Sequence, residues 1–122
     1  LTYYFASLRR INFISYIMPK TLILIPSRMS ASRLPGKPLL KINNLPIISH
    51  VVKRGQETGL GDVIVCAEDS EIVSAVEKNG GKAILTGNYH KNGTERIYEG
   101  LQKLKMANVN YIISLQGKNN LN

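Results

Sequence analysis

Four short apolar runs, separated by stretches of helical periodicity, constrain this chain more than any other feature. Leu22-Ile23-Leu24-Ile25 shows no polar alternation, so it reads as a strand covered on both faces, with expected bounds 21–26. Similar runs over Asp62–Ala67, Lys82–Leu85 and 111–115 supply three further strands. The first intervening helix is expected to open at Pro46, the favoured first helical position. Ile47, Ile48, Val51 and Val52 share one of its faces, and Gly55 or Gly59 can end it. The second, capped by Asp69 or Ser70, carries Ile72, Val73 and Val76 and closes at Gly80-Gly81. Ile97, Leu101 and Leu104 set the period of the third. This βαβαβαβ order predicts an α/β fold, a mostly parallel sheet flanked by helices.

The first strand runs into a loop, 26–38, that carries Arg28, Arg33 and Lys37 among small residues and no acid. Such a segment lets backbone N–H groups and cations approach a polyphosphate together. It can equally be an ordinary turn with solvated cations. The charge distribution favours the anion site. All 8 acidic residues lie between Glu57 and Glu99, so residues 1–56 bear only positive formal charges. Ligands of open parallel sheets bind beyond the carboxyl ends of the strands. The cationic loop, the loop holding His90, Asn92 and Arg96, and Gln116-Gly117 after the last strand are therefore expected to converge on one crevice.

With 122 residues the chain is long enough for one modest domain and too short for two ordinary ones. A net charge of +8 permits nucleic-acid, nucleotide or membrane-surface contact. No nucleic-acid module or aromatic interleaving accompanies it, and no apolar run of about 18 residues exists. Neither a nucleic-acid partner nor a membrane span is expected. A single cysteine, Cys66, rules out an intrachain disulfide and reads as a buried, inert thiol suited to the cytoplasm. His50, on the first helix, reads as structural, and His90 as ordering its loop. Tyr98 and Tyr111 read as packing residues with a polar tip.

Lys37 is followed by Pro38 and Ala31 stands where a first motif glycine belongs, so the loop is not a Walker A sequence. No G-x-G-x-x-G fingerprint is present either. What does occur, in order, is Leu24-Ile25-Pro26-Ser27-Arg28, Ser32-Arg33-Leu34-Pro35-Gly36-Lys37-Pro38, Gly93-Thr94-Glu95-Arg96 and Gln116-Gly117. Together these blocks resemble the 3-deoxy-manno-octulosonate (KDO) cytidylyltransferases, over about residues 20–117. The resemblance implies a Rossmann-like nucleotidyltransferase half-domain that is incomplete. It also implies transfer of CMP from CTP to KDO with release of pyrophosphate, for lipopolysaccharide synthesis, with Mg²⁺ as cofactor. Under it Arg28, Arg33 and Lys37 position the triphosphate, while Pro26, Ser27, Arg96 and Gln116 form the nucleotide site. Taken singly, Arg96 reads as a surface partner of Glu95 or Glu99, and Gln116 as a polar strand end.

The pattern departs from the family at residue 118. There the resemblance calls for a metal-binding aspartate and the chain has Lys118, the wrong charge for a hard cation, so no metal ligand is assigned. Residues 1–17 are expected to be a leader or upstream sequence, with Met18 the natural start, or else a weak amphipathic membrane anchor. Residues 18–117 are the expected cytidylyltransferase portion and 118–122 a divergent tail. The expectation is a truncated, catalytically impaired and poorly soluble fragment, without the family's homodimer region. The alternatives are a non-catalytic CTP-binding remnant and a different sugar-acid cytidylyltransferase, such as the sialic-acid type.

Overall fold

Leu22, Ile23, Leu24 and Ile25 are each no more than 2% exposed, and their strand is the axis of the molecule. The computed structural model describes residues 20–30, 33–105 and 109–116. The sequence expectations for residues 1–17, Met18, Gly117 and Lys118 lie outside these residues. Among them, β1 (Thr21–Ser27) is followed by a 3₁₀ turn (Lys37–Leu39), β2 (Lys41–Ile42), β3 (Leu45–Pro46) and α1 (Ile47–Glu57). Then come β4 (Asp62–Ala67), α2 (Ser70–Lys78), β5 (Lys82–Leu85), α3 (Gly93–Leu104) and β6 (Tyr111–Ser114). The main sheet has the order β5-β4-β1-β6 with every pairing parallel, as the apolar runs predict.

Side chains on a strand alternate between faces, and here each face has its own helices. Ile23, Ile25, Val63, Val65 and Ala67 pack with Ile48 and Val52 of α1 and Ile72 and Val76 of α2. Leu22, Leu24, Ile64 and Cys66 pack instead with Ile97 of α3, flanked by Leu101 and Leu104. Chain direction explains the split. From β1 the sheet grows through β4 to β5, then the chain crosses back to place β6 on the other side of β1. A constant crossover hand puts the returning helix on the opposite face. The reversal leaves a switch point between the carboxyl ends of β1 and β6, where ligands of such sheets bind.

Several local expectations are corrected. The sequence reading missed a hairpin, β2–β3, turned by Asn43 and Asn44 at φ 53° and 66°. Consecutive left-handed residues are the signature of the primed hairpin turns, and asparagine tolerates them. Pro46 precedes α1 as its N-cap residue instead of opening it, and Gly55 lies buried inside the helix against Val63. His50 is structural: its Nε2–H donates to the Ile42 carbonyl at 2.8 Å and ties α1 to the hairpin. Tyr98 and Tyr111 do not pack in the core, being 62% and 49% exposed. Arg96, Ile97 and Gly100 occupy the buried stripe of α3, and Tyr98 falls on its outer side.

Gly100 sets how closely α3 approaches the sheet. A Cβ there would collide with Cys66 Sγ on β4 and would lie 3.7 Å from Ile84 Cγ2. Cys66 is fully buried, and burial pushes its thiol up to about 11, which keeps it protonated and inert. Gly100→Ala is predicted to destabilise the fold by about 1–3 kcal/mol through overpacking. In a Cys66→Ala background the penalty should fall to less than about half. Urea melts of the double-mutant cycle measure both.

Candidate functional site

At the switch point the carboxyl end of β1, the cationic loop, the start of α3 and the end of β6 enclose a cavity of about 350 Å³. Pro26, Ser27, Arg28, Arg33, Lys37, Arg96 and Gln116 all line it. Three segments distant in sequence therefore meet at one crevice. Ile25, Ile47, Ile48 and Val51 give it an apolar side. His90 and Asn92 are not among its lining residues.

The cationic wall is built by backbone bonds. Met29 O accepts from Gly36 N at 2.7 Å, which closes the loop at its base. Gly36 sits at φ 78°, a conformation glycine adopts freely, and Lys37 N donates to Leu34 O at 3.0 Å. Arg28, Arg33 and Lys37 remain exposed to solvent. A short polar approach to an anion is thus available without desolvating the cations beforehand.

The remaining cation of the lining, Arg96, is buried. Arg96 is 3% exposed, and its Nη2 donates to Glu68 Oε1 at 2.9 Å, with neither Glu95 nor Glu99 as its partner. Its Nε is buried and has no acceptor among the described residues. A buried donor left unpaired is costly, so Arg96 has capacity for an acceptor that the described residues do not supply. Gly93 brings the walls together: a Cβ there would lie 2.9 Å from both Gln116 Oε1 and Pro26 Cγ. Asn92 caps α3, its side chain accepting from Glu95 N at 2.9 Å, so the helix begins at the cavity rim with its positive end. Gln116 is exposed, and its Nε2 donates to Ser114 Oγ at 2.9 Å.

His90 orders the loop before α3. Its Nε2 lies 2.6 Å from Glu99 Oε1, which also accepts from Gly87 N at 2.9 Å and Tyr89 OH at 3.2 Å. Lys103 Nζ is 3.1 Å from the other carboxylate oxygen. The Gly87 amide, then His90, with Lys103 adding to them, lower the Glu99 carboxyl to about 2. Sequence reading missed Glu68 and Asp69. Glu68 carried no local signal, because its partner lies 28 positions away, and Asp69 looked like a simple helix cap.

Among the described residues, four cations and no carboxylate line the cavity, and no cluster of three metal-ligating residues occurs. These walls fit a polyanion and do not fit a Mg²⁺ ion. No described helix is long and apolar enough to cross a membrane.

A parallel sheet flanked by helices, with a cation-lined crevice at its switch point, defines a partial Rossmann-like fold of the nucleotidyltransferase class. The sequence model of the family described as cytidylyltransferase matches residues 22–121, and the chain belongs to that family. It is 46% identical over 99 residues to a 3-deoxy-manno-octulosonate cytidylyltransferase of Nitrobacter winogradskyi, covering 80% of this chain and 39% of that protein. The corresponding protein of Afipia carboxidovorans is 48% identical over 98 residues, covering 80% and 40%. A solved structure of CMP:2-keto-3-deoxy-manno-octonic acid synthetase complexed with CTP superposes with a TM-score of 0.72 at 43% identity, covering 80% and 39%. The chain thus spans about 40% of the length of the curated relatives it matches.

The Glu99 cluster has a measurable acid signature. A carboxyl lowered from 4.5 to about 2 stabilises the fold fully above its unfolded value and loses that contribution as pH falls from about 4.5 toward about 2. Thermal melts between about pH 6 and about pH 2 should show this loss in the natural chain. In Glu99→Gln the melting temperature should start lower at pH 6 and fall less steeply through the same window.

Proposed function

We propose that this chain forms the CTP-binding part of a transferase that moves CMP from CTP to KDO, releasing pyrophosphate. The observation that carries the reading is the cavity itself. Arg28, Arg33, Lys37 and Arg96 line one space of about 350 Å³, and Arg96 Nε is buried without a partner among the described residues. A nucleoside triphosphate offers several phosphate oxygens to such cations, and the apolar side formed by Ile25, Ile47 and Val51 suits the less polar parts of a nucleoside. The names of the relatives support cytidine as the nucleoside and KDO as the acceptor.

In this reading an anomeric hydroxyl oxygen of the sugar acid attacks the α-phosphorus. A new P–O bond forms, the bond to the β-phosphate bridging oxygen breaks, and pyrophosphate leaves as the hydroxyl proton is lost. No covalent enzyme intermediate is needed, so catalysis consists of holding the groups in line and neutralising charge. The loop cations neutralise the departing pyrophosphate, and Arg96 fixes the nucleotide end. Magnesium, implied by the family resemblance, would take its carboxylate ligands from outside the described walls. The product feeds lipopolysaccharide synthesis, and the place of action is the cytoplasm. A second reading, CTP binding without turnover, is favoured by one observation: the cavity lining lacks a carboxylate.

Grafting residues 20–116 into the Nitrobacter winogradskyi relative, in place of its matching segment, separates the two readings. The transferase reading predicts release of pyrophosphate from CTP that depends on KDO and not on sialic acid. Lys37→Ala in the graft should lower that rate about tenfold or more. CTP binding with no KDO-dependent release leaves only the binding reading, and absence of CTP binding overturns both.

A further inference from the structure

Asp69 occupies the N-cap position of α2, with extended backbone at φ −118° and ψ 131°. Its carbonyl accepts from Ile72 N at 3.0 Å and Val73 N at 3.3 Å. An aspartate so placed ordinarily turns its carboxylate onto the first amides of its own helix. This one does not. No side-chain cap bond is made, and Oδ2 accepts instead from Met29 N at 2.8 Å, 40 positions earlier in the chain. Because Met29 O accepts from Gly36 N, both backbone polar groups of Met29 are engaged. The carboxylate therefore clamps the base of the cationic loop, one residue after Arg28.

The preceding residue does the complementary thing. Glu68 N donates to Ser27 O at 3.2 Å, continuing the β1–β4 ladder, while Glu68 Oε1 accepts from Arg96 Nη2. Successive side chains of extended backbone point to opposite sides. Two adjacent acids at the end of β4 thus reach the two walls of one cavity, Glu68 holding Arg96 and Asp69 holding the loop. Neither acid lines the cavity.

We propose that Glu68 and Asp69 are a pair of positioning residues that fix the distance between the loop cations and Arg96, and so select a triphosphate over a shorter phosphate chain. This rests on the CTP-binding reading. A triphosphate must meet several cations at set separations, whereas a monophosphate needs few. Loosening one wall therefore costs the longer anion more, because the site is no longer preorganised for it.

Calorimetric titration of the 122-residue chain with CTP and with CMP tests the pair. Asp69→Ala should lower the ratio of CTP to CMP affinity about tenfold. Asp69→Asn keeps an oxygen acceptor for Met29 N and should retain the ratio within about threefold. Glu68→Gln, which weakens the hold on Arg96, should lower the ratio in the same direction as Asp69→Ala. Ser74→Gly, on the exposed side of α2, weakens that helix without touching either wall and should leave the ratio unchanged. An unchanged ratio in Asp69→Ala, or an equal fall in Ser74→Gly, overturns the inference while CTP binding stands. If the natural chain binds CTP no better than CMP, the inference falls alone; if it binds no CTP, the CTP-binding reading and the inference fall together.

Discussion

β1 is enclosed on both faces and hydrogen-bonded along both edges, and everything else in the molecule is placed by reference to it. Its odd-numbered residues anchor α1 and α2, and its even-numbered ones anchor α3. Burying a side chain of this size is worth about 1.5–3 kcal/mol, so four consecutive residues with almost no exposure make the strand hard to displace. A strand held this firmly gives a fixed origin to the segment that leaves its carboxyl end. That segment is the cationic loop. The rigidity of the core is thereby passed to residues that are themselves exposed.

The two walls of the cavity solve the same electrostatic problem in different ways. Arg28, Arg33 and Lys37 stay hydrated, so their mutual repulsion is softened by water until an anion arrives. Arg96 is dry and cannot rely on water, and Glu68 compensates its charge. Removing one partner of such a buried pair typically costs about 3–5 kcal/mol. Arg96 still has its Nε free of acceptors among the described residues, so the pairing stabilises the guanidinium without exhausting it. An anion entering the crevice would meet exposed charge on one side and buried, paired charge on the other.

What could be read in the sequence tracks how local the determining physics is. The four strands were legible because fully apolar runs admit few other placements, and α1 to α3 because their apolar residues recur at helical spacing. The meeting of Arg28, Arg33, Lys37, Arg96 and Gln116 at one crevice was legible through sheet topology, since loops at one end of a parallel sheet must gather there. The β2–β3 hairpin was not, because its strands have two residues each and Asn43-Asn44 lacks the usual glycine. Taken singly, Arg96 points to the wrong acids for a related reason. Glu95 and Glu99 are near it along the chain, yet the sheet delivers Glu68 to it. Tyr98 and Tyr111 show the limit of residue type as a guide: a glycine and an arginine take the buried stripe of α3 while the tyrosine is left outside.

The central claim is that one anionic nucleotide bridges both walls of the cavity. Amide chemical-shift mapping during a CTP titration tests it most directly. Saturable shifts are expected at Ser27, Arg28, Gly36 and Lys37 and, at the same midpoint, at Gly93, Arg96 and Gln116. Shifts confined to one wall, or scattered over the hairpin and the outer face of α2, would contradict it.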